Sequence, residues 1–123
     1  MKVLGIGIDI ESVERFNKLT IKKNSLFLNK IYTKRELQYC FSHKNPAPYL
    51  AARFAGKEAV IKAITASLNK IISAKDIEIT NAANGLPIAK IPKTVSVNMR
   101  IHISLSHSDD QAIAFVLIQE KTT

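Results

Sequence analysis

The feature that most restricts the fold is a long run without helix breakers in the middle of the chain. The 19 residues from Leu50 to Leu68 contain no proline and only one glycine, Gly56. Pro46 and Pro48 precede this run and bias the residues before them away from helical geometry. We therefore expect one long central helix that forms the main packing element of the fold.

A strand pattern opens the chain. The first ten residues alternate between two sides, with Leu4, Ile6, Ile8 and Ile10 on one and Gly5, Gly7 and Asp9 on the other. A period of two predicts a strand that buries one face. Since glycine has no side chain, we expect open room beside the Asp9 carboxylate, where a ligand or a metal could approach.

Shorter patterns complete the order of elements. Helical spacing recurs after the first strand, at residues 11–19 and 26–39. Strand patterns follow the central helix at residues 76–80, 86–91, 95–105 and 112–119, with a turn cluster at residues 81–85. This order predicts an α+β domain in which a mainly antiparallel sheet packs on the long central helix.

Length and composition limit the domain organisation. The chain has 123 residues, of which 46% are hydrophobic, so we expect residues 1–123 to form a single globular domain. A domain of this size buries roughly two-thirds of its unfolded surface. Little room remains for a deep cleft that would hold two sizeable substrates, and we therefore expect an oligomer.

The expected location is the cytoplasm. The one cysteine, Cys40, cannot form a disulfide within the chain, and the N-terminus lacks the pattern of a signal peptide. The longest apolar run covers residues 112–118, which is far too short to span a bilayer. We predict an intracellular protein with no membrane segment.

Positive charge is concentrated in one part of the sequence. The net charge is +8, and seven of the 18 basic residues lie between residues 15 and 35, where there is no acidic residue. If the segment is helical, Arg15, Lys18 and Lys22 share one face. Such a helix is either a solvated lysine-rich face or a docking surface for an acidic partner: nucleic acid, an anionic membrane, a phosphorylated ligand or an acidic protein.

Two carboxylates stand out as candidates for chemistry. Glu58 lies on an apolar line of the central helix, and Lys62 follows it by one helical turn. Each carboxylate also has a structural alternative. Glu58 could form an ordinary ion pair with Lys62, and Asp9 could cap a helix. In the functional interpretation Asp9 and Glu58 share a Mg²⁺ ion while Lys62 faces a phosphate, because Mg²⁺ is commonly held by one or two carboxylates plus substrate phosphates.

A polar loop joins the last two strand patterns. Residues 106–110 read Ser-His-Ser-Asp-Asp, and they offer an imidazole, two hydroxyls and turn amides. Such groups can donate several hydrogen bonds to phosphate oxygens. The alternative is a plain turn in which serine and aspartate favour the backbone geometry and His107 is a loop histidine.

Four segments in this order resemble one enzyme family. They read GIGIDIESVERF at residues 5–16, RFAGKEAVIKA at 53–63, NGLP at 84–87 and ISLSHSDDQAIAFVLI at 103–118. Together they resemble the holo-[acyl-carrier-protein] synthases, the small single-domain class of 4′-phosphopantetheinyl transferases. The pairing of the Gly-Ile-Asp element with a Phe-x-x-Lys-Glu-Ala helix about 50 residues later carries most of the specificity.

The resemblance implies an activity and an assembly. Such an enzyme transfers the 4′-phosphopantetheine group of coenzyme A to a serine of apo acyl carrier protein and releases adenosine 3′,5′-bisphosphate. The implied metal is Mg²⁺, the implied process is fatty acid biosynthesis, and the implied assembly is a homotrimer with active sites between subunits. The implied fold is that of the 4′-phosphopantetheinyl transferases.

The resemblance also implies roles for single residues. Asp9 and Glu58 match the metal-binding carboxylates, and either Glu58 or a metal-bound water would take the serine proton. Lys62 and His107 match positions that contact the phosphates of coenzyme A. Gly85, Pro87 and Ser108 fall in the matching coenzyme-binding loops. Arg53 is a further coenzyme-binding position. Because Arg53 and Lys62 are nine residues apart on one helix, they face opposite sides of it. If both contact the coenzyme, Arg53 must come from another copy; otherwise it is structural.

The basic segment gains a specific meaning from the resemblance. Acyl carrier proteins are strongly acidic, so the residues that would dock the carrier beside Asp9 are Arg15, Lys18, Lys22 and Lys23. Neither a nucleic acid nor a membrane is then an expected partner. On composition alone, a small basic RNA- or ribosome-binding protein is the alternative function.

The sequence departs from the family pattern at three places. Residues 65–68 replace a glycine-rich turn, so the central helix is expected to run longer. Leu86 stands where lysine is common, and Ser108 stands where threonine is common. Since neither carboxylate is affected, we expect activity to persist, with coenzyme affinity left open.

Overall fold

The computed structural model describes residues 2–121. Within these residues, five strands and three α-helices follow one another, with two short 3₁₀ helices at Val13–Phe16 and Ala74–Asp76. In chain order the main elements are β1 (Val3–Ser12), α1 (Ile21–Ile31), α2 (Lys34–Phe41), α3 (Ala47–Leu68), β2 (Glu78–Asn81), β3 (Pro87–Lys90), β4 (Met99–His107) and β5 (Gln111–Glu120). The predicted α+β class is confirmed.

Two antiparallel sheets contain all five strands. The larger sheet has the order β1-β5-β4, and the smaller one is the β2–β3 hairpin. The central strand, β5, pairs with β1 from Gln119 to Gln111 and with β4 from Glu120 to Ala112. Helix α3 packs on the larger sheet, mainly against β1 and β5, as the expected central helix should.

Helix α3 matches the expected run closely. It begins three residues earlier than predicted, at Ala47, where proline is tolerated in the first turn. It ends at Leu68, before Asn69 in the left-handed conformation with φ of 50°. Residues 65–68 are therefore helical, as the loss of the glycine-rich turn predicts.

The predicted basic helix over residues 11–19 is wrong. Strand β1 continues to Ser12, which pairs with Gln111 of β5, and only a short 3₁₀ helix follows. A new helix, α1, begins after Thr20, whose hydroxyl accepts from the Lys23 amide. Pairing along β5 thus prevails over the local helical pattern, and the predicted shared face of the basic residues does not form.

The second predicted helix, over residues 26–39, is divided into two. Helix α1 ends at Ile31 and α2 begins at Lys34 after a capping box, in which Thr33 and Glu36 exchange side-chain and backbone hydrogen bonds. Later boundaries also shift, since β4 begins at Met99 rather than at residue 95. These differences leave the order of elements unchanged.

Strand β1 faces the helix with its glycines rather than with its isoleucines. A Cβ added to Gly7 would lie 2.0 Å from the carbonyl oxygen of Ala59, and one added to Gly5 would lie 2.5 Å from that of Ala63. The expected open room beside Asp9 is therefore occupied by the α3 backbone. The glycines allow a strand and a helix to approach closely rather than admit a ligand.

The isoleucine face of β1 points away from α3. Ile6, Ile8 and Ile10 are 60%, 57% and 55% exposed. On the same face, Ile8 pairs with Phe115 and Ile10 pairs with Ile113, and both partners on β5 are also exposed. The larger sheet thus carries a contiguous apolar surface outside the monomer core, which we call the isoleucine face.

Substitution of Gly7 tests this packing. Gly7→Ala is expected to lower the free energy of unfolding by about 3 kcal/mol, because the backbone of Ala59 cannot move without displacing α3. Gly85→Ala is the control, since only its φ of 86° opposes a side chain, at a cost of about 1 kcal/mol. Urea unfolding measures both, and equal losses would contradict the close packing of β1 on α3.

The interior consists of two clusters that meet along α3. One contains residues of α3, β2 and the larger sheet, and the other joins α1, α2 and the first turns of α3. Cys40 is fully buried in the second cluster, and burial raises the pKa of its thiol to about 12. Within residues 2–121, no helix is both long enough and apolar enough to cross a membrane.

Candidate active site

Asp9 lies within β1 and faces the side of α3. It pairs with Ala114 in the sheet, so the helix-cap alternative for this residue is wrong. Lys62 approaches from α3, with its Nζ 3.2 Å from Asp9 Oδ1 and 3.0 Å from the carbonyl oxygen of Ile8. The other carboxylate oxygen, Asp9 Oδ2, is buried and has no hydrogen-bond partner among the described residues. Asp9 therefore uses one carboxylate oxygen to bind Lys62 and keeps the other, Oδ2, free to bind a further group.

Glu58 belongs to the same cluster, together with a residue that the sequence interpretation did not select. Glu11 is two residues after Asp9 on the same face of β1, and its side chain is only 9% exposed. Burial raises the pKa of Glu11 to about 7, assisted by the neighbouring Asp9 carboxylate and by the charge of Glu58, against the opposing charge of Arg15. Three carboxylates therefore influence one another here.

The structural alternative for Glu58 is an ion pair with Lys62. Lys62 instead forms its ion pair with Asp9 across the gap between helix and strand, and Glu58 is half-buried on α3. Within the described part of the chain, no three His, Cys, Asp or Glu side chains are close enough together to hold a metal by themselves. Any metal here would need ligands from outside the chain.

The raised pKa of Glu11 gives a prediction for stability against pH. Its folded-state pKa of about 7 is above the ordinary 4.5, so the folded chain holds more protons between these values. The free energy of unfolding should then fall as pH rises through this range, by about 2 kcal/mol. In Glu11→Gln this fall should be absent. Urea unfolding of both chains in EDTA at pH 5 and pH 8 tests it, and an equal pH dependence in the two would contradict it.

Arg53 lies on a different side of α3 from Lys62. It is 4% exposed, its guanidinium stacks 4.1 Å from the ring centre of Tyr39, and Nη2 donates to Asn81 Oδ1 at 3.3 Å. Its Nε is buried without a hydrogen-bond partner. Arg53 and Lys62 are nine residues apart, and at about 100° per residue they face opposite sides of the helix. In agreement with this, Arg53 contacts α2 and Lys62 contacts β1.

His107 ends β4 on the Arg53 side of the molecule. Its ring meets Tyr49 edge-on, with centroids 5.2 Å apart, and Tyr49 in turn stacks on His43 at 3.6 Å. Tyr39 contacts both His43 and Tyr49. His107 is thus the exposed end of an aromatic stack, which no pattern in the sequence indicated because its members are far apart along the chain.

Ser108 shapes the turn between β4 and β5. Its Oγ accepts hydrogen bonds from the amides of Asp110 and Gln111, both at 3.2 Å, and its own amide donates to the carbonyl of Gln111. These three amides are therefore engaged within the turn, as the alternative interpretation expected. The Ser108 hydroxyl proton is left to donate outward.

Gly85 and Pro87 lie at the exposed end of the β2–β3 hairpin. Gly85 has a φ of 86°, its amide donates to the carbonyl of Ala82, and a Cβ added to it would meet nothing within 4 Å. Pro87 begins β3 opposite Asn81. The hairpin packs on α2, α3 and β4, and so belongs with Arg53 rather than with β1.

All four basic residues expected to dock a carrier are exposed, although they occupy different elements. Arg15 lies in the first 3₁₀ helix and forms an ion pair with Glu11, whereas Lys18 lies between the helices. Lys22 and Lys23 are in the first turn of α1. The region also exposes Phe27, which lines a small cavity with Arg15, Phe16 and Leu19.

Comparison with known proteins places this chain in one family. A model of the 4′-phosphopantetheinyl transferase superfamily matches residues 5–116. A holo-[acyl-carrier-protein] synthase of Thermodesulfovibrio yellowstonii is 49% identical over 114 residues, which cover 93% of this chain and 96% of that relative. One from a Geobacillus species is 44% identical over 119 residues, covering 95% and 97% of the two chains.

Solved structures agree with the sequence relatives. The crystal structure of a Bacillus anthracis holo-(acyl-carrier-protein) synthase in complex with CoA (3′,5′-ADP) has a TM-score of 0.78 and 33% identity, covering 98% of both chains. The Helicobacter pylori synthase in complex with coenzyme A has a TM-score of 0.79 and 31% identity, covering 93% of this chain and 99% of that one. The chain therefore belongs to the 4′-phosphopantetheinyl transferase superfamily, in the family of holo-[acyl-carrier-protein] synthases.

Proposed function

We propose that this chain transfers the 4′-phosphopantetheine group of coenzyme A to a serine of apo acyl carrier protein. The observation that carries the proposal is the cluster of Asp9, Glu58 and Lys62 on facing sides of β1 and α3. It occurs in a chain whose relatives are holo-[acyl-carrier-protein] synthases over nearly their whole length. The products are holo carrier protein and adenosine 3′,5′-bisphosphate.

The reaction is a phosphoryl transfer. The carrier serine oxygen forms a bond to the β-phosphorus of coenzyme A, and the bond from that phosphorus to the leaving nucleotide breaks. Glu58 is the proposed base for the serine proton, directly or through one water. Lys62, held beside Asp9, provides positive charge at the phosphates.

The carboxylate cluster fits a Mg²⁺ ion. Asp9 Oδ2 is buried without a hydrogen-bond partner, and hard oxygen ligands are those that Mg²⁺ prefers. Asp9 and Glu58 would hold the ion, and the coenzyme phosphates would complete its ligands. When bound, the ion would offset negative charge on the phosphate oxygens.

The remaining coenzyme contacts are proposed on the other side of α3. His107 and Ser108 offer exposed donors, and the hairpin turn with Gly85 and Pro87 offers backbone. Arg53 is mainly structural in one copy, since it holds Tyr39 and Asn81. We propose that its guanidinium meets a coenzyme phosphate at the cavity that Arg53 lines with Arg35 and Asn81.

We further propose a homotrimer whose active sites lie between subunits. The isoleucine face is the supporting observation, because contiguous exposed apolar surface commonly marks an interface. Ile10 and Ile113 also form walls of two cavities of about 250 and 240 Å³, one lined by Ser106, His107 and Ser108, the other by Asp9 and Lys62. A neighbour seated on this face would therefore lie next to both halves of the proposed site.

The proposed carrier-docking surface is formed by Arg15, Lys18, Lys22 and Lys23. It is exposed and begins directly after the strand that holds Asp9. A positive surface beside the reacting groups would attract an acidic carrier and make association sensitive to salt. The RNA-binding alternative is not retained, because the chain matches an enzyme superfamily over residues 5–116.

Release of adenosine 3′,5′-bisphosphate tests the activity. With coenzyme A, Mg²⁺ and apo carrier, the nucleotide should appear in an amount equal to the carrier consumed. A carrier whose acceptor serine is replaced by alanine, and a reaction in EDTA, serve as controls and should release none. Release that does not depend on the acceptor serine would indicate hydrolysis and contradict the proposed transfer.

A further inference from the structure

We propose that Lys57 and Glu36 are positioning residues that hold the β2–β3 hairpin in place for coenzyme binding. This inference rests on the proposed function, because the hairpin carries Gly85 and Pro87. Neither charged residue reaches the surface: both side chains are 0% exposed. They form the one ion pair with both side chains fully buried in the described part of the chain.

Lys57 connects α3 with the segment that enters the hairpin. Its Nζ lies 2.7 Å from Glu36 Oε1 and donates to the carbonyl of Ala74 at 2.9 Å and to that of Ile77. The ammonium group therefore has three oxygen partners inside the protein. Burial lowers the pKa of Lys57, and the Glu36 carboxylate opposes that effect.

Glu36 completes the connection from α2. Its Oε2 accepts from the amide of Ile79, the second residue of β2, and its Oε1 accepts from the amide of Thr33, both at 2.8 Å. One carboxylate thus binds the start of α2, the lysine of α3 and the backbone of β2. The pair fixes the position of the hairpin along α3 as well as its distance from it.

A hairpin of this size needs such an anchor. Each strand has only four residues, and an isolated two-stranded hairpin is at best marginally stable. Ile79 packs into a recess at Gly56, where an added Cβ would lie 2.6 Å from Ile79 Cδ1. An apolar contact alone permits sliding, whereas hydrogen bonds to Ile77 and Ile79 fix the register.

The Lys57–Glu36 pair binds the hairpin at Ile79, within β2, and the turn at Gly85 follows at the end of this strand. Asn81 lies two residues after Ile79, accepts from Arg53 and pairs with Pro87. Displacement of Ile79 would therefore move the turn at Gly85 relative to α3. Glu58 and Lys62 should be unaffected, because they sit on α3 itself and on its contact with β1.

This predicts a separation between binding and chemistry. In the double variant Lys57→Met/Glu36→Gln, no buried charge is left unpaired, and the chain should fold. The new side-chain amide offers one acceptor oxygen where the Glu36 carboxylate offers two, so the hairpin loses part of its attachment. We expect the KM for coenzyme A to rise roughly tenfold or more, while kcat stays within about twofold.

Two measurements separate positioning from general destabilisation. Hydrogen exchange of the amides in residues 77–90 should become faster in the double variant than in Leu50→Ala, which removes a fully buried side chain from the other core cluster. Leu50→Ala should lower the melting temperature without raising the KM for coenzyme A. If the double variant does not fold, Lys57→Gln/Glu36→Gln, which also leaves no buried charge unpaired and keeps a donor for the carbonyls of Ala74 and Ile77, should show the same pattern more weakly.

The results distinguish this inference from the proposed function. If the natural chain transfers phosphopantetheine and the double variant keeps its KM for coenzyme A, or loses kcat instead, Lys57 and Glu36 are not positioning residues. If exchange in residues 77–90 is unchanged relative to Leu50→Ala, the hairpin does not depend on them. If the natural chain itself fails to transfer, the proposed function fails, while the exchange experiment still tests the anchor.

Discussion

Glu58→Gln is expected to lower the rate of phosphopantetheine transfer by roughly a thousandfold while leaving the chain folded. The substitution preserves the size of the side chain but removes the negative charge. Glu58 is the proposed base and one of the two proposed ligands of Mg²⁺, so one change removes both roles. Within residues 2–121 Glu58 forms no ion pair that could be lost, because Lys62 binds Asp9 instead.

The measurement compares kcat and melting temperature for three chains. Glu14→Gln is the matched control, because Glu14 is an exposed residue of the first 3₁₀ helix and its substitution removes the same charge. The control should keep both its rate and its melting temperature. Normal turnover by Glu58→Gln would show that the assignment of base and metal ligand is wrong.

Recovery of activity by mixing two inactive chains is the second large effect. Glu58→Gln damages the side of α3 that faces β1. His107→Glu places a carboxylate among proposed phosphate-binding groups on the other side, where repulsion should lower transfer roughly a hundredfold. If active sites lie between subunits, some sites in mixed trimers combine the intact half of each chain.

The size of the recovery is predictable. With random assembly of equal amounts of the two chains, about one site in four should have both halves intact. Co-expressed chains should therefore recover about a quarter of the natural rate per site, whereas each variant alone stays inactive. No recovery in oligomers shown by mass to contain both chains would place each active site within one chain.

Formation of the proposed trimer should depend on the isoleucine face. Ile8→Lys introduces a charge at the centre of that face, where the side chain is already exposed in one copy. The substituted chain should remain folded, and its mass in solution should fall from that of three chains to that of one. Persistence of a trimer would place the interface elsewhere.

Local patterns predicted much of the fold. The central helix was foreseen to within three residues because nothing in Leu50–Leu68 opposes a helix, and the antiparallel strands showed a period of two. The extent of β1 was not foreseen. Residues 11–16 have helical spacing, but pairing of Ser12 with Gln111, about a hundred residues away along the chain, determines where the strand ends.

The direction in which β1 packs was also hidden. The alternating pattern predicts that β1 buries one face, but it does not say which one. The glycines at positions 5 and 7 permit the approach of α3 to within contact of the backbone. The isoleucines then remain outside one copy, and the proposed neighbouring subunits are what would bury them.

Part of the candidate site could be predicted from the spacing of residues within single elements. Asp9, Glu58 and Lys62 are carried by regular elements whose spacing can be counted. Glu11 was missed because its grouping with Asp9 requires β1 to continue past residue 10. The Lys57–Glu36 pair was missed because these partners, distant along the chain, meet only after α2 and α3 have packed.

The mass of the carrier protein after reaction shows whether this chain transfers phosphopantetheine. Purified apo carrier is incubated with this chain, coenzyme A and Mg²⁺, and its intact mass is measured. The account predicts a gain equal to one phosphopantetheine group on the acceptor serine. An unchanged carrier mass, under conditions in which a known holo-[acyl-carrier-protein] synthase modifies the same carrier, would contradict it.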